Sequence, residues 1–139
     1  MLMANEITIT SVETVNGSDQ IVSAFFTFTD YLVLRVVFNL SSDLASLPDL
    51  TARITFTIIN AQLNQSAASV TTSQNIPTGT SNWITWTDPP KNPDQWGLTD
   101  QSDAYGLRVI IVLDSQGQQL DAVAVSDIRW FRLKKQFEL

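Results

Sequence analysis

Hydrophobic residues recur at every second position along several stretches of the chain. Residues 32–40 place five apolar side chains on one face of an extended backbone, and residues 54–58 and 107–113 repeat the alternation. A period of two predicts β-strands that bury one face, as antiparallel sheets do. Residues 6–13 and 22–28 follow the same rule. The expected inward set of the last segment is Val22, Ala24, Phe26 and Phe28.

Polar turn signals separate these strands. The sequences NGSD at 16–19 and DSQGQ at 114–118 predict hairpins, the second with a glycine placed for a left-handed turn position. Residues 41–50, SSDLASLPDL, predict a single helical turn with Ser41 or Ser42 as its N-cap.

Two stretches leave alternatives open. Residues 63–82 are polar and weakly patterned, so they form either a long loop or a short edge strand around Val70. Residues 120–134 predict either one long strand or two pieces kinked at Ser126 and Asp127.

These signals together predict an all-β fold. We expect residues 1–139 to form a single-domain antiparallel β-sandwich of seven to nine strands, immunoglobulin-like or fibronectin-III-like in general plan. The likeness is one of pattern only, since the Cys–Trp–Cys signature of immunoglobulin domains is absent.

Charge is sparse and unevenly placed. Only 16% of the 139 residues are charged and the net charge is -6. The acidic body disfavours nucleic acid, whose affinity comes mainly from Lys and Arg on phosphates. Near the C-terminus a basic stretch is either a solvated terminal strand or a contact for an acidic partner. It comprises Arg129, Arg132, Lys134 and Lys135.

The residue types missing from the chain argue against an enzyme. With no His and no Cys, a Ser–His or Cys–His nucleophile is impossible and thiolate metal sites are excluded. No phosphate-binding glycine motif occurs, so we expect no cofactor. A carboxylate pair for glycoside hydrolysis stays formally possible, but a chain this small has few residues left to form the walls of a substrate cleft.

Four aspartates lie close together in the second half of the chain. They are the hard oxygen ligands that calcium prefers, but their spacing matches no standard calcium loop. Aspartate is also the natural turn and cap residue, so we expect turn chemistry and no metal site. The four are Asp88, Asp94, Asp100 and Asp103.

No targeting or membrane signal is evident. The N-terminus lacks a basic start followed by an apolar run of signal-peptide length, and no stretch approaches 18 apolar residues. We therefore expect a cytoplasmic protein that does not contact a membrane.

The outward faces of some predicted strands are too apolar for a free, solvated sheet. Such a face is covered by a loop or by another chain. Arginines lie mid-strand among these apolar residues and would form one stripe if their strands shared a sheet. Arginine amid apolar surface is enriched at protein interfaces, whereas the alternative is a solvated face paired with aspartates. The predicted interaction face comprises Arg35, Arg53, Arg108, Ile110 and Val112.

The stretch WITWTDPPKNPDQWG, residues 83–97, holds three of the four tryptophans. Strand alternation puts Trp83 and Trp86 on opposite faces, and we expect Trp86 to turn inward with Ile84. Trp96 then lies in a proline-stiffened loop. Two uses of the loop stay open: Trp96 folds back as a lid over the core, or the rings hold a ligand. The alternative ligand loop comprises Trp83, Trp96, Asp88 and Asp94.

Two functional hypotheses follow. The first, which we favour, is a non-catalytic interaction module that self-associates or docks on a protein partner, which includes a role as a subunit of a larger assembly. The second is a carbohydrate-binding module in which exposed tryptophans stack on sugar rings and carboxylates take the hydroxyls.

Overall fold

The computed structural model of this chain describes residues 7–62, 64–98 and 104–134, which fold into two β-sheets around a shared core. In chain order the elements are β1 (Ile7–Val15), β2 (Ala24–Phe26), β3 (Val33–Leu40), α1 (Ser42–Ala45), β4 (Leu50–Asn60), β5 (Gln65–Ile76), β6 (Asn82–Trp86), β7 (Tyr105–Ser115), β8 (Gln118–Val125) and β9 (Arg129–Lys134).

The smaller sheet has three antiparallel strands in the order β1–β3–β6. Along β3 the even-numbered residues from 34 to 40 are buried and the odd-numbered ones are partly exposed. The predicted alternation of this segment is confirmed, and its odd-numbered residues belong to the outer face of the sandwich.

The larger sheet has six strands among the described residues. β5, β4 and β7 pair antiparallel in that order, and β8 and β9 lie one after the other along the remaining edge of β7. Ser126 holds the break between β8 and β9. Its Oγ accepts from the Val109 N–H at 2.8 Å, and its own N–H donates to the Val109 carbonyl at 2.9 Å. Of the two alternatives for residues 120–134, the structure shows two kinked pieces.

β2 pairs parallel to β9, so one pair departs from the expected antiparallel arrangement. Phe25 is fully buried, and its ring meets the Phe131 ring edge-on with centroids 6.0 Å apart. Phe28 is 54% exposed. The predicted inward phase is therefore wrong for Phe26 and Phe28, because packing against Phe131 selects the other face of this short strand.

Both predicted hairpin turns are present. After β1, the Asn16 Oδ1 accepts from the N–H groups of Ser18 at 3.0 Å and Gln20 at 2.9 Å, which closes the turn. Between β7 and β8, Gln116 and Gly117 have φ values of 51° and 80°. Two consecutive left-handed residues define a turn whose twist matches the paired strands.

The helical turn forms where it is expected. The Ser41 Oγ accepts from the Leu44 N–H at 3.3 Å, which identifies Ser41 as the N-cap of α1. Within the described ranges, no helix is long and apolar enough to cross a membrane.

The polar stretch after β4 is more ordered than its sequence indicates. β5 runs for twelve residues and pairs with β4 along its whole length, with Val70 opposite Phe56. Of the two alternatives for this stretch, the structure shows the edge strand, and it is longer than the short strand expected around Val70 because its backbone pairs with β4 throughout.

The core lies between the two sheets. Residues 54, 56 and 58 of β4 and residues 107, 109, 111 and 113 of β7 are buried at 1% exposure or less, and they pack on the inward residues of β3. The predicted all-β sandwich is confirmed.

Gln74 links the two sheets along the side where β5 and β6 approach. Its Oε1 accepts from the Trp83 Nε1–H at 2.6 Å and from the Thr85 hydroxyl at 2.7 Å. Thr85 is 1% exposed, so this acceptor satisfies a polar group that water does not reach.

We expect Gln74→Leu to lower the free energy of unfolding by about 1–3 kcal/mol, because it leaves the buried Thr85 hydroxyl and the Trp83 N–H without their acceptor. Urea denaturation followed by far-UV circular dichroism measures the loss. Gln65→Leu at the exposed start of the same strand is the matched control and is expected to change stability by no more than about 0.5 kcal/mol. Equal effects of the two variants would contradict a role for Gln74 in joining the sheets.

Candidate interaction face and ligand pocket

The five residues of the predicted interaction face divide between the two sheets. Arg35 lies on β3 of the smaller sheet, whereas Arg53 lies on β4 of the larger one, next to the strand that carries Arg108, Ile110 and Val112. The predicted stripe of three arginines is wrong, because the β3 and β4 strands are on opposite sides of the core.

The outer face of the larger sheet extends the predicted apolar pair. Ile110 lies directly opposite Val125 of β8, and Val112 lies opposite Val123. Val125 is 60% exposed and Val123 is 46% exposed. Four aliphatic side chains thus form a continuous patch on the outer face of β7 and β8.

The patch continues past the kink between β8 and β9. Trp130 of β9 lies opposite Gly106 and is 54% exposed, while Ile128 is 39% exposed. A Cβ at Gly106 would overlap the Ile128 Cγ2 and lie 3.2 Å from the Trp130 ring, so the glycine lets both side chains lie over β7. We call the complete set the apolar row: Ile110, Val112, Val123, Val125, Ile128 and Trp130.

Sequence reasoning found only two of these six residues. The signal for Val123 and Val125 is the alternation in AVAV at 122–125, which places them on the face opposite the partly buried alanines. The kink between β8 and β9 shifts this alternation, so it does not extend to Trp130. Only the register against β7 shows that this face continues that of Ile110 and Val112.

Charges of opposite sign lie at the two ends of the apolar row. Arg132 and Lys134 lie beyond Trp130 toward the end of β9, whereas Arg108 lies within the row, between Gly106 and Ile110 of β7. Asp114 and Asp121 lie near the β7–β8 hairpin. The outer face therefore has a basic end, an apolar middle and an acidic end.

Arg53 and Arg108, the two arginines that β4 and β7 carry on this face, differ in exposure and in hydrogen bonding. Arg53 is exposed, lies opposite Val112 and donates to the Gln119 Oε1 at 3.3 Å, so it lies at the margin of the acidic end. The Nε of Arg108 is covered and has no hydrogen-bond partner among the described residues. Its side chain therefore lies along the sheet with its apolar stem on the face.

The two tryptophans of the alternative ligand loop point inward. Trp96 is 8% exposed, and its Nε1–H donates to the Leu32 carbonyl at 2.7 Å. Trp83 is partly buried against the core and donates to Gln74. Neither ring offers a free face, so the expectation that they stack on a ligand does not fit their placement. Trp96 instead folds back over the core, which is the other use that the sequence left open.

The expected phase of β6 is also wrong. Ile84 and Trp86 point outward, with 50% and 54% exposure, while Thr85 and Thr87 are buried. The reason is polar: Thr85 bonds to Gln74, and the Thr87 Oγ1 accepts from the Leu34 N–H at 3.1 Å. An inward tryptophan at position 86 would displace these bonds.

The outward ring of Trp86 lies at a pocket on the smaller sheet. The pocket has a volume of about 290 Å³, and its walls include Val33, Arg35, Asp88 and Pro90. It joins one residue of the predicted interaction face, Arg35, with one residue of the predicted ligand loop, Asp88.

Arg35 is held in place at this pocket by carboxylates. Its Nε donates to the Glu13 Oε1 at 2.6 Å across the β1–β3 pair, and its Nη1 lies 3.5 Å from the Asp19 Oδ1. The guanidinium therefore has a fixed orientation between the partly buried carboxylate of Glu13 and the exposed carboxylate of Asp19.

Asp94 does not join this pocket. Asp94 lies in a turn, where its N–H donates to the Thr27 carbonyl and its carbonyl accepts from the Gly97 N–H at 3.0 Å. Asp100 and Asp103 lie outside the described residues. In the part of the chain that the structure describes, no group of three or more His, Cys, Asp or Glu residues could hold a metal ion.

Comparisons with known proteins add little to this picture. No protein-family model matches the chain, and no curated protein matches it. Among solved structures, the chain is similar to an immunoglobulin-like protein from Pseudomonas aeruginosa, with 8% identity and a TM-score of 0.41 over 96% of this chain and 100% of that one. A similarity this low carries no argument beyond the two sheets described above.

Proposed function

We propose that this protein is a non-catalytic interaction module that self-associates through the outer face of its larger sheet. The observation that carries the proposal is the apolar row. Four of its six side chains are exposed, including a tryptophan, and they lie side by side on one face. A contiguous exposed apolar patch marks an interaction site, whereas exposed apolar residues scattered singly do not.

The arrangement of charge favours a second copy of this chain as the occupant. In a twofold, face-to-face dimer with the axis through the apolar row, the basic end of one copy lies against the acidic end of the other. Arg132 and Lys134 would then face Asp114 and Asp121 of the second copy. In the middle of the interface, the apolar rows of the two copies would cover each other.

The face has the size that such a dimer needs. β7 has eleven residues, and strands rise about 3.3 Å per residue and lie about 4.8 Å apart. The outer face of β5, β4, β7 and β8 therefore has a projected area of roughly 600 Å², which approaches the roughly 800 Å² per partner of a standard interface. The exposed residues of the apolar row also line a cleft beside β1.

The residue content supports a binding role over a catalytic one. The chain has no His and no Cys, so a general base that titrates near neutral pH and a thiolate nucleophile have no side chain to supply them.

We expect the protein to dimerise in a concentration-dependent way, and Trp130→Ala to weaken the dimer by roughly thirtyfold or more. Removing an interface tryptophan costs about 2 kcal/mol or more, and because of the twofold axis the substitution removes two rings at once. Sedimentation equilibrium at concentrations up to the high micromolar range measures the dissociation constant. Trp86→Ala, which removes an equally exposed ring from the opposite sheet, is the matched control and is expected to leave the dimer intact.

Charge reversal tests the twofold arrangement itself. Asp121→Lys is expected to weaken the dimer, because it places a cation against the basic end of the second copy, and adding Arg132→Glu is expected to restore part of the affinity. A wild-type protein that stays monomeric at high micromolar concentration would overturn the proposal. A dimer that Trp86→Ala dissociates and Trp130→Ala does not would place the interface on the smaller sheet instead.

A further inference from the structure

The pocket beside Trp86 lies on the sheet opposite to the apolar row and has no part in the proposed dimer. Its volume of about 290 Å³ is at the lower end of the range of roughly 300–1,000 Å³ for small-molecule pockets. It is open to solvent at Trp86 and Asp88, both of which are exposed. A small ligand, or the end of a longer one, fits a site of this size.

The pocket presents an aromatic ring beside small apolar walls. Trp86 is 54% exposed, and Val33 and Pro90 line the same pocket. The ring cannot turn inward without displacing the bonds of Thr85 and Thr87 with Gln74 and Leu34. The core therefore sets the outward position of the Trp86 ring, so the ring loses little conformational entropy when a ligand binds.

Polar groups of both kinds converge on this ring. Arg35 is the direct cross-strand neighbour of Trp86 and supplies N–H donors, with its orientation fixed by Glu13. The carboxylates of Asp88 and Asp19 supply acceptors, and Asp88 has no hydrogen-bond partner among the described residues. A few placed polar groups around an apolar surface are what orients a ligand in a pocket.

We propose that this pocket binds a neutral saccharide. A pyranose ring has an apolar C–H face that stacks on an indole, and hydroxyls that donate to carboxylates and accept from a guanidinium. Asp19 and Asp88 line the pocket, and Glu13 pairs with Arg35 beside it. The carboxylates near the pocket therefore outnumber the one guanidinium, which disfavours an acidic sugar. A cationic ligand on the ring is disfavoured in turn, because Arg35 lies directly beside Trp86.

This site differs from the ligand loop that the sequence suggested. Asp88 is retained, but Trp83 and Trp96 are turned inward and Trp86 replaces them. The proposal does not rest on dimerisation, since the two faces lie on opposite sheets.

Titration of the full chain with neutral oligosaccharides tests the proposal. The probes are cellohexaose, maltohexaose, xylohexaose and mannohexaose, with a hexamer of galacturonic acid as the acidic comparison and choline as the cationic one. Isothermal titration calorimetry at millimolar probe concentration is expected to show binding of at least one neutral probe and weaker or no binding of the acidic one and of choline.

The matched variants assign the binding to the pocket. Trp86→Ala is expected to weaken binding at least roughly tenfold, a change of about 1.4 kcal/mol, and Asp88→Asn is expected to weaken it in the same direction. Trp130→Ala, which removes an equally exposed ring from the other sheet, is expected to leave binding unchanged. Far-UV circular dichroism of each variant verifies that it is folded.

Three results would overturn the proposal. They are the absence of binding by every neutral probe, equal affinity of Trp86→Ala and wild type, and binding of choline or the acidic hexamer alone. A monomeric wild-type protein that binds a neutral probe through Trp86 would refute the dimer and support the pocket, so the two proposals fail separately.

Discussion

Alanine at Trp96 is expected to lower the free energy of unfolding by about 3–5 kcal/mol, the range for removing a buried large aromatic side chain. Trp96 is 8% exposed and donates its Nε1–H to the Leu32 carbonyl at 2.7 Å. The Lys91 ammonium lies 5.2 Å from the ring centroid and covers its outer side. The variant leaves a cavity at the end of the core and a buried carbonyl without its donor.

Urea denaturation followed by far-UV circular dichroism measures this loss without depending on tryptophan fluorescence. Trp86→Ala is the control from the same stretch of sequence, and its 54% exposed ring predicts a change of no more than about 1 kcal/mol. Losses of similar size in the two variants would mean that Trp96 does not close the core as the structure shows.

Phe131→Ala is expected to cost a similar amount, about 3–5 kcal/mol. The Phe131 ring is 2% exposed, stacks on Tyr105 with centroids 5.7 Å apart and meets Phe25 edge-on at 6.0 Å. These contacts join β7, β9 and β2, so the loss of this ring also removes the packing that holds the parallel pair β2–β9.

The adjacent residue supplies the control for this prediction. Trp130→Ala changes the outer face of the same strand, and its exposure predicts a change of no more than about 1 kcal/mol for the monomer. Thermal unfolding of both variants at low concentration, where the proposed dimer is dissociated, separates core packing from association. A Phe131→Ala protein as stable as Trp130→Ala would contradict the burial of this strand face.

The central strands were predictable from alternation because one of their faces is strongly apolar. In β4, Ile54, Phe56 and Ile58 alternate with Arg53 and threonines, and their burial follows. Local chemistry also predicted the helical turn, with Ser41 or Ser42 as its N-cap, and the turn at Gly117, since capping and left-handed backbone depend on neighbouring residues alone.

Alternation failed where both faces of a strand carry aromatic or apolar residues. In β6 the sequence NWITW offers no single apolar face. The hydrogen bonds that Thr85 donates to Gln74 and that Thr87 accepts from the Leu34 N–H decide that the threonines point inward. In β2 the ring of Phe131, more than a hundred residues away, decides between Phe25 and Phe26.

The candidate sites show the same difference between what the sequence predicts and what only the fold reveals. The apolar pair Ile110 and Val112 was visible in the sequence, but its continuation through Val123 and Val125 required the register of β8 against β7. Arg35 and Asp88 were both singled out, for different uses, and only the fold shows that they line one pocket with Trp86.

The sequence by itself determined the class of this fold, the faces of its central strands and the lack of histidine and cysteine chemistry, because these depend on residue type and on periodicity along the chain. The tertiary structure alone decided which strands share a sheet, which face of each edge strand is buried and which distant residues meet. Those outcomes depend on pairing and packing between segments far apart in the chain, and a local pattern carries no information about its partner.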